Sequence, residues 1–140
     1  MNRWTRWMEV EGPLVRLAFF RIVVGFMLWR HTWAFVRHYL PEGFYRSRFY
    51  VPYWGWYPLP SETSYVIVMA LMIIAGFFII IGYKTRWALI GALTASAFHL
   101  FLNQYWYSNN RYFMLLALLL LCVSPCNRGL SLDAAKQKQN

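Results

Sequence analysis

The chain has 140 residues, of which 59% are hydrophobic and 14% are charged, and its formal net charge is +9. A soluble domain carries about 25% charged residues, so this composition favours a membrane protein with a single domain. The positive charge does not indicate nucleic-acid binding, which needs a basic face on a water-exposed domain. It fits anionic lipid headgroups or an acidic partner better.

Four hydrophobic segments predict an all-α membrane protein, a bundle of four transmembrane helices. A helix rises about 1.5 Å per residue, so roughly 20 residues cross a hydrocarbon core of about 30 Å. The helices are expected approximately at residues 14–36, 65–81, 87–107 and 109–126. β-Strands are a poor alternative, because a lone sheet in lipid leaves backbone groups unsatisfied. We therefore expect one membrane domain over residues 1–140.

The basic residues predict the orientation of the bundle. More of them lie on the side that holds both termini and the turn Tyr83–Arg86 than on the side of the connecting loop 37–64. Positively charged loops stay in the cytoplasm. We therefore expect a bacterial inner-membrane protein with its N- and C-termini in the cytoplasm and the loop 37–64 outside.

The outer loop at 37–64 is rich in aromatic residues and proline. Tryptophan and tyrosine concentrate where the membrane meets water, so we expect this loop to lie on the outer surface. Binding of a ligand or a protein is the alternative. The interface anchors predicted along the chain are Trp54, Trp56, Trp87 and Trp106.

Arg21 lies inside the first predicted helix, where a guanidinium costs several kcal/mol unless it is paired or hydrated. Ala18, Gly25 and Thr32 share its helix face, so this stripe should point into the bundle. No acidic residue lies within the four hydrophobic segments. Arg21 either reaches the cytoplasmic surface or bonds helix-end carbonyls, or it meets an anionic ligand, a lipid phosphate or a partner's carboxylate.

His99 lies in the middle of the third predicted helix, with Ser96 and Asn103 at helical spacing. This face should also point into the bundle. We interpret His99 as a buried, hydrogen-bonded histidine. The alternative is a haem or metal ligand with His31 as the second axial ligand, but no spacing motif supports that pair, and no cofactor other than lipid is expected.

Cys122 and Cys126 lie four residues apart around Pro125. Two thiols cannot complete a zinc site, and the spacing is not that of the redox motif Cys-x-x-Cys. We therefore expect two small buried hydrophobic residues. A phosphate loop, a catalytic carboxylate pair and a nucleophile triad cannot be assembled from this sequence either, so no catalytic residue is predicted.

Several motifs occur in a distinctive order. They are Arg21 and Gly25, Tyr53-Trp54-Gly55-Trp56, Gly82 before the basic turn, Tyr107-Ser108-Asn109-Asn110-Arg111-Tyr112, and the segment from Asn127 to Asp133. This order resembles the HTTM domain, the four-helix membrane part of vitamin K-dependent gamma-carboxylase and its bacterial relatives. The resemblance extends from about Arg21 to Asp133 and implies a four-helix membrane fold.

The resemblance also bears on catalysis. In the carboxylases a histidine important for activity follows the asparagine pair, and the catalytic lysine lies beyond the fourth helix. Here Arg111 stands at the histidine position, and a guanidinium cannot act as a base near neutral pH. The chain ends at Asn140, so we expect a truncated domain that does not catalyse carboxylation. Asn109 and Asn110 would lie on the outer side, as the family's active site does.

Two functions stay open at this point. The first is a non-catalytic accessory subunit that packs against a larger membrane protein complex and holds lipid between them, which the unpaired charge of Arg21 favours. The second is a membrane enzyme, or a protein that binds a cofactor or quinone, with an outer-side pocket built from His99, Asn109, Asn110 and Arg111. A bundle packed solid beneath Asn109 would exclude the second function.

Overall fold

The computed structural model of the protein describes residues 12–39, 51–55, 61–104, 107–127 and 130–133. The described helices are α1 (Gly12–Tyr39), α2 (Glu62–Ile81), α3 (Thr85–Leu102) and α4 (Asn109–Val123). Within these ranges no residue forms a β-strand. The predicted all-α class is therefore confirmed.

The largest difference from the expected boundaries is at the end of the third helix. α3 ends at Leu102 and not near residue 107, because Asn103 adopts an extended backbone with φ of −148° and ψ of 126°. The Asn103 Oδ1 accepts a hydrogen bond from the backbone N–H of Val51 at 3.2 Å. The backbone N–H of Gln104 donates to the Val51 carbonyl at 2.8 Å. The chain leaves the helix to pair with loop residues that are distant in sequence.

The start of α3 is capped from the other end of the chain. Lys84, the residue before the helix, supplies no side-chain cap. Instead the Asp133 carboxylate accepts hydrogen bonds from the backbone N–H groups of Lys84 and Thr85, both at 2.9 Å, and from the Thr85 hydroxyl at 2.9 Å. A carboxylate at this position satisfies free N–H groups and complements the helix dipole.

Consecutive helices pack against each other, and α1 also meets α4 over a smaller contact. Two glycines bring α1 and α2 close together. A Cβ atom at Gly25 would lie 3.1 Å from the Gly76 carbonyl oxygen, and one at Gly76 would lie 3.2 Å from the Gly25 carbonyl oxygen. Small residues commonly mediate such approaches between membrane helices.

The predicted inward faces of α1 and α3 are confirmed. On α1, Ala18, Arg21 and Thr32 are buried, and on α3 the side chains of Ser96 and His99 are buried. Large apolar side chains are exposed on the outer faces of α1, α2 and α4; among them are Phe19, Phe77, Phe113, Leu120 and Val123. Such extensive apolar exposure is unfavourable in water and favourable in lipid.

One described helix, α2, is long and apolar enough to cross a membrane by its length and composition, with 20 residues and a mean hydropathy of 2.8. α4 is apolar but has only 15 residues. It ends at Val123 rather than at residue 126, since Ser124 is extended. Four membrane spans therefore stay a prediction.

Gly82 provides a test of this architecture. Its φ is +70°, and a Cβ atom there would lie 2.8 Å from the Ser131 Cα and 2.8 Å from the Arg21 Nη1. We expect Gly82→Ala to lower the free energy of unfolding by about 2 kcal/mol, because left-handed backbone and steric overlap both oppose the methyl group. Denaturation by sodium dodecyl sulfate in mixed micelles measures this difference.

The matched control is Gly91→Ala, in the interior of α3. A Cβ atom at Gly91 meets no atom within 4 Å among those described. Alanine should raise stability there by about 0.5–1 kcal/mol, since it restricts the unfolded chain in a helical position. Equal effects of the two substitutions would contradict the close packing around Gly82.

Candidate functional site

The Arg21 side chain is fully buried and bonds carbonyls of its own chain. Its Nη1 donates to the Cys126 carbonyl at 3.1 Å, and its Nη2 donates to the Leu130 carbonyl at 2.7 Å. Both carbonyls belong to the segment that follows α4. The Asp133 carboxylate of the same segment also stabilises the guanidinium charge.

This geometry bears on the two interpretations of Arg21, because its described hydrogen bonds lie within its own chain. Of the two interpretations, bonding to carbonyls at a helix end describes its contacts. The Arg21 Nε is buried and has no hydrogen-bond partner, but the two terminal nitrogens are engaged. Arg21 therefore gives no support to a contact with another subunit.

At the opposite end of the bundle, a cavity of about 340 Å³ lies between α1 and α4, with side chains of α2 and α3 in its wall. Its polar lining comes from Arg30, His31, Thr32, Ser96, His99, Asn110 and Arg111. Its apolar lining comes from Phe26, Met27, Leu28, Phe35, Met69, Met72, Phe113 and Met114. Along α4 the polar residues come first and the apolar ones follow, so the cavity changes from polar to apolar as it deepens.

The hydroxyl of Ser96 is the unusual group in this wall. Hydroxyls within helices often bond the carbonyl four residues earlier, as Thr32 does with Leu28 at 2.8 Å and Thr94 does with Ile90 at 2.9 Å. Ser96 is 9% exposed, and its Oγ has no hydrogen-bond partner. A buried, unsatisfied hydroxyl costs about 1–3 kcal/mol. A polar group bound in the cavity would satisfy it.

Arg111 and His31 lie together at the polar end of the cavity. The Arg111 Nε donates to the His31 Nε2 at 3.3 Å, and the guanidinium carbon lies 5.1 Å from the centre of the Phe35 ring. An arginine N–H can only donate, so the His31 Nε2 acts as the acceptor and His31 is neutral. Its proton is therefore on Nδ1, which stays available as a donor.

His99 is hydrogen-bonded within the bundle. Its Nε2 and the Tyr65 hydroxyl are 2.7 Å apart, and both side chains are buried. The Phe35 ring meets the imidazole edge-on, with ring centres 5.0 Å apart. His99 therefore has the surroundings expected of a buried, hydrogen-bonded histidine, and the Nε2 atoms of His99 and His31 both have partners in this chain.

The two cysteines differ in burial. Cys126 is buried and Cys122 is partly buried. The Cys126 Sγ donates to the Leu121 carbonyl at 3.4 Å, and burial raises the pKa of this thiol, which lies beyond the end of α4. In the part of the chain that the structure describes, three or more His, Cys, Asp or Glu residues nowhere converge in a way that could hold a metal ion.

The family model of the HTTM domain matches residues 13–140. The chain belongs to the HTTM family. Comparisons with curated proteins and with solved structures give no match. The HTTM domain is a membrane-associated domain, so the apolar outer faces and the apolar helix α2 belong to a membrane protein.

The structure brings only part of the predicted site of this HTTM protein together. His99, Asn110 and Arg111 line the cavity, while Asn109 is exposed beside it and Asn103 bonds Val51. Arg21 lies at the other end of the bundle. Of the predicted anchors, Trp54 packs on Phe101 and Trp87 is 75% exposed. Trp56 and Trp106 lie outside the described residues.

Sequence reasoning gave no role to Tyr65 and treated Ser96 only as part of an inward face. Tyr65 begins the second hydrophobic segment and is buried. A side chain with a hydroxyl at the start of an apolar segment is the sequence signal from which its role could have been predicted. The missing partner of Ser96 has no signal in the sequence. It depends on how the side chain is turned and on what the neighbouring helices provide.

The contacts of Arg21 generate a prediction about stability. We expect Arg21→Leu to lower the free energy of unfolding by about 2–4 kcal/mol, because the Cys126 and Leu130 carbonyls lose their donors in a buried environment. Arg16→Leu is the control, since Arg16 is exposed on the same helix. Unfolding in mixed micelles should leave the control near the wild-type value. Equal stability of both variants would refute a structural role for Arg21.

Proposed function

We propose that this HTTM protein is a non-catalytic membrane protein that holds an amphiphilic, lipid-soluble molecule in the cavity between α1 and α4. One observation carries the proposal: Ser96, whose buried hydroxyl has no partner, lines a cavity that is polar at one end and apolar at the other. Binding sites for small molecules usually combine an apolar wall with a few placed polar groups.

The exposure of the cavity wall supports entry from the bilayer. Phe26 and Met27 on α1 are each 51% exposed, and Phe113 on α4 is 65% exposed, although all three line the cavity. The cavity is therefore open sideways between these two helices. An amphiphile dissolved in the membrane would enter through this opening and place its chain against the methionine and phenylalanine side chains.

The lining residues support binding more than chemistry. The described lining residues include no carboxylate, and the Nε2 of His99 is engaged by the Tyr65 hydroxyl. Arg111 occupies the position of the carboxylase histidine, and a guanidinium stays protonated at neutral pH. A membrane enzyme acting on a quinone would use the same cavity and is the alternative proposal. Turnover of an added quinone by the purified protein would favour it.

We further propose that all four helices cross the bilayer of a bacterial inner membrane, with both termini in the cytoplasm. α1 has 28 residues and α3 has 18. The apolar outer faces support this arrangement. The basic turn Tyr83–Arg86 supports it too, because positively charged loops stay on the cytoplasmic side.

Filling the cavity should prevent binding. We expect Ser96→Leu to reduce the amphiphile that co-purifies with the protein by about tenfold or more, because leucine takes its space and removes a polar contact. Lipid extraction followed by mass spectrometry measures the bound amount. Stability should not fall, since the buried hydroxyl has no partner to lose.

Thr94→Leu is the matched control on the same helix. Thr94 is exposed and lies outside the cavity, and its hydroxyl bonds the Ile90 carbonyl. This variant should retain the wild-type amount of amphiphile. An unchanged amount in Ser96→Leu, or wild-type protein that takes up no amphiphile at all, would refute the proposal.

An accessory-subunit role is a second proposal, and the outward face of α3 favours it. Gly91 and Thr94 lie on this face beside Trp87 and Ile90, which are 75% and 48% exposed. Small residues flanked by large apolar ones allow a helix of another protein to approach closely. The partner would be a larger integral membrane protein complex, with anionic lipids at the contact.

Gentle extraction from the native membrane tests the subunit role. Mass spectrometry should find a stoichiometric partner with the wild-type protein, and Gly91→Leu should remove it by blocking the approach of a helix. Gly55→Leu is the control, because Gly55 is exposed in the described loop, outside the face of α3 that carries Gly91, and a Cβ atom there meets no described atom within 4 Å. Recovery of the wild type as a lone monomer would count against this role.

A further inference from the structure

We infer that the amphiphile in the cavity carries an anionic oxygen group, a carboxylate or a phosphate, on a single alkyl chain. This inference rests on the proposed binding function and names the class of ligand. It draws on the charges, the hydrogen-bond donors and the size of the cavity, each of which selects against other lipids.

Among the described residues, the charges at the polar end of the cavity are positive. Arg30 and Arg111 both line it, and the described part of the lining includes no Asp or Glu. Charges attract strongly where the surroundings are apolar, and arginine forms strong, charge-assisted hydrogen bonds with carboxylate and phosphate oxygens. A cationic head group would meet repulsion there, and a neutral one would gain less than an anion.

Several polar groups of the lining can donate a hydrogen bond. The bond from the Arg111 Nε fixes the guanidinium and leaves the Nδ1–H of His31 as a donor. The Asn110 amide and the unpartnered Ser96 hydroxyl add two more groups that can donate. The start of α4 lies at the same place, and the N-terminal end of a helix favours negative charge. An oxyanion can accept a hydrogen bond from a group of each of these kinds.

The size of the cavity limits the apolar part of the ligand. Its volume of about 340 Å³ is near the lower end of the range for small-molecule sites, about 300–1,000 Å³. Two acyl chains do not fit in this space, whereas the head and first part of one chain do. The flexible side chains of Met27, Met72 and Met114 can adjust to such a chain, and its remainder would leave through the opening between α1 and α4.

Four probes with the same alkyl chain separate the head groups. Laurate and dodecyl phosphate are anionic, monolaurin is neutral and dodecylamine is cationic. Their binding is measured to the whole protein in nanodiscs of zwitterionic phosphatidylcholine, with empty nanodiscs as the blank for partitioning into lipid. We expect at least one anion to bind about tenfold more tightly than monolaurin, and dodecylamine to bind no better than monolaurin.

The variants assign the preference to the arginine. Arg111→Gln should remove the advantage of the anions over monolaurin, while Arg111→Lys should keep it in part because it keeps the charge. Arg37→Gln is the control, since Arg37 is exposed on α1 and does not line the cavity. Should Arg111→Gln fold poorly, Arg30→Gln removes the other positive charge of the cavity lining. It should weaken the preference for anions over monolaurin.

The outcomes distinguish this inference from the binding function itself. If all four probes bind equally well and Ser96→Leu removes their binding, the inference of an anionic head group is overturned. The cavity would then still be a binding site. A preference for anions that persists undiminished in both Arg111→Gln and Arg30→Gln would also overturn the inference. Failure of all four probes to bind would refute both proposals. A preference for laurate over dodecyl phosphate, or the reverse, supports the inference and identifies the head group.

Discussion

The buried guanidinium of Arg21 is the constraint on which the arrangement of the bundle depends. It cannot stay in an apolar interior without acceptors, and it finds them in the Cys126 and Leu130 carbonyls. The same short segment supplies Asp133, which caps α3 and whose backbone N–H donates to the Gly82 carbonyl at 3.1 Å. One segment therefore ties α1, the α2–α3 turn and the end of α4 together.

The other end of the bundle has no comparable tie between α1 and α4 in the described residues. Arg111 reaches His31 through a single long hydrogen bond, and aromatic contacts around Phe35 fill the space towards α2 and α3. The cavity lies between the two helices at this end. The two ends of the bundle therefore differ in how α1 and α4 are joined. At one end Arg21 bonds backbone carbonyls beyond α4, and at the other Arg111 bonds the side chain of His31 on α1.

The sequence predicted four helices and their inward faces, since hydropathy and helical spacing depend on local residues. It did not predict the early end of α3, because the hydrogen bond between Asn103 and Val51 joins residues far apart in sequence. From topology it grouped His99, Asn109, Asn110 and Arg111, and all of these except Asn109 line the cavity. It could not predict the partners of Arg21, because these are backbone carbonyls, which every residue has. It also could not predict that the Ser96 hydroxyl lacks a partner.

The contacts of Arg21 also set an order of events during synthesis. Its carbonyl partners lie 105 and 109 residues further along the chain, so α1 leaves the ribosome long before they exist. Until then the guanidinium needs water, lipid phosphate or the insertion machinery as a temporary partner. The first helix can take its final position only after the last one has been made. Assembly of this protein is therefore completed from its C-terminal end.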